Sequence, residues 1–152
     1  MRTILTFMST RFPCSIYDKT GGLVYFARLV DKIRLQAAHT LPAAYHENLG
    51  GGFDGRCCDF LGVKYPALRE RVLAGGTDDE VLHWCFEHGR KSSADEITDW
   101  NEFMWKRGWR DSATPRLHMR IKESKFENHQ PPILTFFDYI EVDEGRTPPT
   151  FS

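Results

Sequence analysis

No stretch of this sequence is apolar over the roughly 20 residues that a bilayer-spanning helix needs, so no membrane role is expected. No charge of one sign prevails either. Twenty lysines and arginines stand against 21 aspartates and glutamates, for a formal net charge of -1. That balance removes the default electrostatic case for nucleic acid or an anionic membrane surface, each of which asks for a basic face, and no nucleic acid is expected as a partner. The start, Met1 to Cys14, lacks the continuous apolar stretch and small-residue cleavage site of a signal peptide, and Arg-Phe-Pro before Cys14 does not suit lipoprotein processing. The expected location is therefore the cytoplasm. Cysteine is sparse, with four in all and no pair two residues apart. Cys57 and Cys58 are adjacent and ill-placed for a disulfide with each other, so they and Cys85 read as small buried hydrophobes of a reducing compartment. Internal repeats and low-complexity tracts are missing too.

What is present suffices for one core. The chain has 152 residues, 41% of them hydrophobic and 13% aromatic, and a chain of that length buries about two thirds of the surface its unfolded form exposes. The 27% charged content is that of ordinary globular chains and speaks against disorder. After an irregular lead-in closed by Gly21-Gly22, helical periodicity starts at Leu23. Leu23, Phe26, Leu29, Val30, Ile33 and Ala37 fall on one face, with Arg28, Asp31, Lys32 and Arg34 around the rest and Asp31 spaced to pair with Arg28 and Arg34. Beyond Pro42 comes a loop with the run from Leu49 to Gly55, in which Asp54 is set to cap a short helix ended by Gly62. Pro66 opens the next helix, which Gly75-Gly76 ends. Thr77 with Glu80, and Ser93 with Glu96, each spell a capping box ahead of a further helix. Gly89 and Gly108 stop these two. Thr114-Pro115 starts a more polar helix that runs to about Phe126. The aromatic stretch Ile133 to Val142 fits a helical stripe better than a strand, and Asp143 to Arg146 is a turn. The pattern predicts an all-α fold, a compact bundle of about five or six short helices. Residues 1–14 are expected as an irregular extension, 15–147 as a single helical domain, and 148–152 as a loose tail.

Chemical signatures are weak. Gly50, Gly52 and Gly55 match the dinucleotide fingerprint by letter, yet no strand precedes them and no strand–helix alternation surrounds them, which excludes a Rossmann unit. Glycines before a helix can admit an anion to backbone amides with Arg56 alongside, although Asp54 in the same place opposes it. Among six histidines, His83 and Glu87 share a helix face, but no zinc-type ligand spacing occurs, so no metal and no cofactor is implied. His46, in a loop near Asp54 and Arg56, is the best-placed general base. No nucleophile occupies a Gly-x-Ser-x-Gly setting. Core packing accounts for Trp84, Trp100, Trp105 and Trp109 better than base stacking does.

Several stretches nonetheless form a recognisable set: Arg28 to Arg34, Tyr45-His46, Phe53-Asp54, Phe60-Leu61-Gly62, Trp100-Asn101, Phe136-Phe137-Asp138 and Asp143-Glu144-Gly145-Arg146. Together they resemble an uncharacterised bacterial family, domain of unknown function family 5069, over roughly residues 15–147. The resemblance implies a bacterial, cytoplasmic, stand-alone domain and no particular activity. It directs attention to Arg28, Asp31, Lys32, Arg34, His46 and Asp54, as ligand contacts or as a salt-bridge network holding the first helix to its loop. The ligand-binding candidates are thus Arg28, Asp31, His46, Asp54 and Arg56. The leading functional expectation is a non-catalytic binding or protein-interaction module, with a homodimer or another protein as partner. The alternative is a small enzyme or ligand-binding protein with its site between helix one and the glycine-rich loop.

Overall fold

The computed structural model describes residues 9–151. The first eight positions of the expected N-terminal extension, and Ser152 of the expected tail, lie outside the described residues. The described residues form two compact units, one of residues 9–14 with 26–92 and the other of residues 15–25 with 93–151.

In the first unit, helix α1 spans Phe26–Ala37. Phe26, Leu29, Val30 and Ile33 recur at three- and four-residue spacing and are fully buried, each such side chain giving about 1.5–3 kcal/mol of hydrophobic stabilisation. The helix starts at Phe26 and not at Leu23, because Tyr25 holds a positive φ of 76° that no helix passes through. It ends where His39 turns left-handed, at φ 60°, and Thr40 N donates back to Leu35 O at 2.9 Å, a helix-terminating turn built without glycine. A 3-10 helix, Ala43–Asn48, follows, then α2 (Gly52–Leu61), α3 (Tyr65–Leu73) and α4 (Asp78–His88). The expected punctuation is present. Gly62 closes α2 at φ 70°, Pro66 lies in the first turn of α3, and Thr77 and Glu80 make both bonds of the capping box. Helix α3 touches α1, α2 and α4. A side chain at Gly89 would put its Cβ 2.1 Å from Leu61 O, and the bare backbone there lets Arg90 N donate to that carbonyl at 2.8 Å.

The second unit contains a β-hairpin that the helical expectation missed. Strands β1 (Lys19–Thr20) and β2 (Leu23–Val24) pair antiparallel, Lys19 opposite Val24 and Thr20 opposite Leu23. Gly21 and Gly22, at φ 56° and 80°, form the two-residue turn, whose positive φ angles match the strand twist. Helices α5 (Ala94–Lys106), α6 (Thr114–Glu123) and α7 (Phe136–Asp143) complete the unit, with α5 against β2 and α7, and α6 against α7. Ser93 and Glu96 cap α5 reciprocally, while Thr135 Oγ1 accepts from Asp138 N to start α7.

The fold is thus mostly helical, as expected, and corrected in two respects. It is not strictly all-α, because the lead-in holds the hairpin. The described residues carry eight helices, not five or six, one of them 3-10. None of these helices is long and apolar enough to cross a membrane.

Candidate functional site

The five ligand-binding candidates all belong to the first unit, and none of them is without a partner. On α1, Arg28 is buried, donates from Nη1 to Cys14 O at 3.1 Å, and lies over the Tyr45 ring at 5.9 Å, within cation–π range. Asp31 does not pair with Arg28 or Arg34 as its spacing suggests. It takes a two-pronged bond from Arg11, at 2.8 and 3.0 Å, and a third from Cys14 N at 2.8 Å. Arg28 and Asp31 therefore hold opposite sides of one residue, Cys14, and dock residues 11–14 on the helix. Arg34 turns instead to Asp78 at 2.6 Å and Gly76 O at 3.0 Å.

The strongest electrostatic feature joins the same helix to the glycine-rich loop. Lys32 Nζ lies 2.9 Å from both carboxylate oxygens of Asp54, and the two side chains are 8% and 0% exposed. Asp54 is the third residue of α2, not its cap, and it reaches back to accept from Gly50 N at 3.1 Å. The glycines beside it have steric reasons to be glycine. Gly50 sits at φ 78° with the Tyr65 ring 2.9 Å from where a Cβ would be, and a Cβ at Gly55 would come within 3.1 Å of Gly50 O. An ion pair this deep is retained only when geometry and further bonds offset desolvation, and losing one partner leaves an uncompensated buried charge. Lys32 had the weaker claim in the sequence, yet it is the residue that engages the loop.

His46 sits on the 3-10 helix and is exposed, with Nε2 3.1 Å from Leu41 O. Arg56 is exposed on α2. Burial pushes the thiols of Cys58 and Cys85 up to about 12 and raises that of Cys57 as well. These three buried cysteines are free thiols, as is Cys14. At neutral pH they stay protonated, which suits core hydrophobes and not nucleophiles. Among the described residues no group of three or more His, Cys, Asp or Glu is arranged to hold a metal ion. An open groove of about 440 Å³ runs along α3 and α4, lined by Arg71, Asp79, Glu80, His83, Trp84 and Glu87. His83 pairs with Glu87, and Glu80 belongs to the capping box.

The other singled-out residues lie in the second unit and hold its backbone. Asn101 Oδ1 accepts from Val24 N at 3.0 Å, Asn101 Nδ2 donates to Gly22 O at 2.8 Å, and Trp100 Nε1 donates to Val24 O at 3.0 Å. Two side chains of α5 thus clamp a hairpin too short to persist alone. Tyr17 donates to Asp138 at 2.6 Å. Burial is the main cause that raises the Tyr17 phenol, with the Asp138 bond adding to it, and burial likewise raises the Asp138 carboxyl against the lowering effect of bonds from Tyr17 and Thr135. Glu141 accepts from Ser15 Oγ and Ile16 N, and Arg146 pairs with Glu141 and Glu144.

The tryptophans divide. Trp100 is core and Trp84 and Trp105 are half-buried, whereas Trp109 is 48% exposed. Sequence reasoning assigned all four to packing and passed over the segment Lys106-Arg107-Gly108-Trp109-Arg110, where basic side chains do alternate with an indole. The profile of a family described as a domain of unknown function (DUF5069) matches residues 10–146. No curated protein matches the chain.

Proposed function

The chain belongs to the family of the domain of unknown function DUF5069, and on that premise we propose that it is a non-catalytic binding module whose contact face is the outer side of α5 and α6. The observation that carries this reading is that Phe103, Trp109 and Met119 keep 41%, 48% and 51% of their surface in solvent. Large aromatic and methionine side chains left exposed to solvent are what interfaces are enriched in. The internal partners of Arg28, Asp31 and Asp54 support the same reading from the other side. These charges serve α1 and its loops, and none of the three stands ready to receive a substrate. Four free cysteines suit a reducing compartment, consistent with action in the cytoplasm.

The test is to incubate the full chain with a mixture of common metabolites and follow it by proton NMR. A binding module leaves every component unchanged in amount. Conversion of any component that is lost in the His46→Ala variant would replace this reading with the enzymatic one.

A further inference from the structure

The charge balance of the whole chain hides a local asymmetry. Between residues 102 and 125 there are seven lysines and arginines against three carboxylates, Glu102, Asp111 and Glu123. That is a local excess of four positive charges, which leaves the remainder of the chain at -5. Two of the cations are neutralised nearby, Lys106 by Glu102 at 2.6 Å and Arg107 by Asp111 at 3.2 Å. Among the described residues none of Arg110, Arg116 and Arg120 forms an ion pair, and all three are exposed. Arg116 and Arg120 are four residues apart on α6, on the face that also carries Met119.

Aromatic rings interleave with these cations. Arg107 lies over Phe103 at 5.8 Å, Arg110 over Trp109 at 5.5 Å, and Arg116 over Phe136 at 5.4 Å. The turn that carries Trp109 and Arg110 is pinned from several sides. Asp111 accepts from Gly108 N at 2.9 Å and from Ala113 N at 2.8 Å, and Thr114 Oγ1 donates to Gly108 O at 2.7 Å. Gly108, at φ 100°, lets the turn press against α6 and α7, since a Cβ there would meet Leu117 at 2.9 Å and Phe136 at 3.0 Å. Phe136 N donates to Arg107 O at 2.9 Å. The indole is therefore held outward on a fixed turn, so engaging it orders little that is not already ordered.

Phe136 is buried, but Phe103 and Trp109 present exposed rings beside the exposed Arg110, Arg116 and Arg120, and that combination matches one ligand chemistry closely. Single-stranded nucleic acids offer bases whose faces stack on exposed rings and phosphates that pair with arginine, without sequence-specific contacts. Resting on the binding-module reading, we propose that the surface formed by Phe103, Trp109, Arg110, Arg116, Met119 and Arg120 binds single-stranded nucleic acid. Trp109 stacks on a base, and Arg110, Arg116 and Arg120 meet successive phosphates.

The test is fluorescence anisotropy of labelled oligo(dT) and oligo(rU), about 12 nucleotides long, titrated with the full chain between about 50 and 200 mM NaCl. Binding is expected to weaken with salt at a log–log slope of about -2, the value for three phosphate contacts on a single strand. Trp109→Ala should weaken binding about tenfold to a hundredfold with an unchanged melting temperature. Arg116→Gln should make the slope shallower by about 0.7. No binding at the lowest salt, binding undiminished in Trp109→Ala, or equal affinity for the corresponding duplex would overturn the assignment. Displacement of the oligonucleotide by a lower concentration of poly-glutamate would overturn it too, while leaving the binding-module reading standing with an acidic polypeptide as occupant. Failure of the oligonucleotides and of poly-glutamate alike would remove both.

Discussion

The two units of the chain place their cations differently, although each buries carboxylates, Asp54 in the first and Glu141 and Glu144 in the second. The first takes cations inside: Arg28 and Lys32 are buried on α1, Asp54 is wholly buried on α2, and each has a partner in a loop or on another element. The second keeps its cations out. Arg110, Arg116 and Arg120 are exposed, and its interior polar work falls to side chains such as Asn101 and Trp100, which pair with backbone groups of the hairpin. A charge that is buried and paired holds one arrangement of the backbone, and it cannot meet a ligand without undoing that arrangement. An exposed arginine beside an aromatic ring is available for recognition. The difference teaches that charged residues in a suggestive sequence neighbourhood need to be sorted by burial before they are read as a site.

If the first unit depends on its interior pair, Asp54→Ala should be the most damaging single change. It removes the carboxylate that Lys32 Nζ holds at 2.9 Å and should cost about 3–5 kcal/mol, read by urea unfolding. Replacing both partners with apolar residues, Lys32→Met with Asp54→Leu, should recover a large part of that loss. A single variant as stable as the parent would show that the pair does not organise the unit. The second unit offers the matched test. Asn101→Ala removes the partners of Val24 N and Gly22 O and should cost about 1–3 kcal/mol, with the added signature that amides of residues 19–24 lose protection in hydrogen exchange.

Alkaline titration sharpens the contrast further, because both units hold buried acidic protons. Cys58 and Tyr17 have folded-state values raised above their ordinary 9.0 and 10.0. The native state then retains protons that the unfolded chain releases. Stability is fully present below the ordinary values and falls as pH rises through them, by at most about 1.4 kcal/mol per pH unit for each group. Cys58→Ala should flatten the decline that begins near the thiol value, and Tyr17→Phe the part that begins one unit later; a curve unchanged by either variant would contradict the burial of both groups. The smallest effects belong to a motif the units share. Thr77→Ala and Ser93→Ala each remove a capping hydroxyl and should cost about 1 kcal/mol by thermal unfolding, equal in the two units because the device is local.

That local device is also the part of the fold most legible in the sequence. Thr77 with Glu80, Ser93 with Glu96, Pro66 and Gly62 mark helix ends through contacts within four residues, and such contacts survive any tertiary context. The hairpin went unread although its signal was present. Gly21-Gly22 is a two-residue turn of the kind hairpins use, but strands of two residues show no alternation, and Leu23 falls in phase with the α1 stripe. The partner of Asp31 could not be read at all, since Arg11 is 20 positions away and helix spacing favours Arg28 and Arg34 equally. Of the candidate residues, the sequence named Arg28 and Asp54, whereas what they do depends on their burial, which no local spacing shows. Trp109 was misassigned for the same reason: an amphipathic helix end and an exposed turn look alike until one knows which side faces water.

On the proposed reading, recognition belongs to the α5–α6 surface while the α1 charges serve the fold. Hydrogen–deuterium exchange of the full chain, with and without saturating oligo(dT), tests it most directly. Added protection is expected in residues 103–120 and none in residues 28–56. Protection confined to residues 28–56, with 103–120 unchanged, would contradict it.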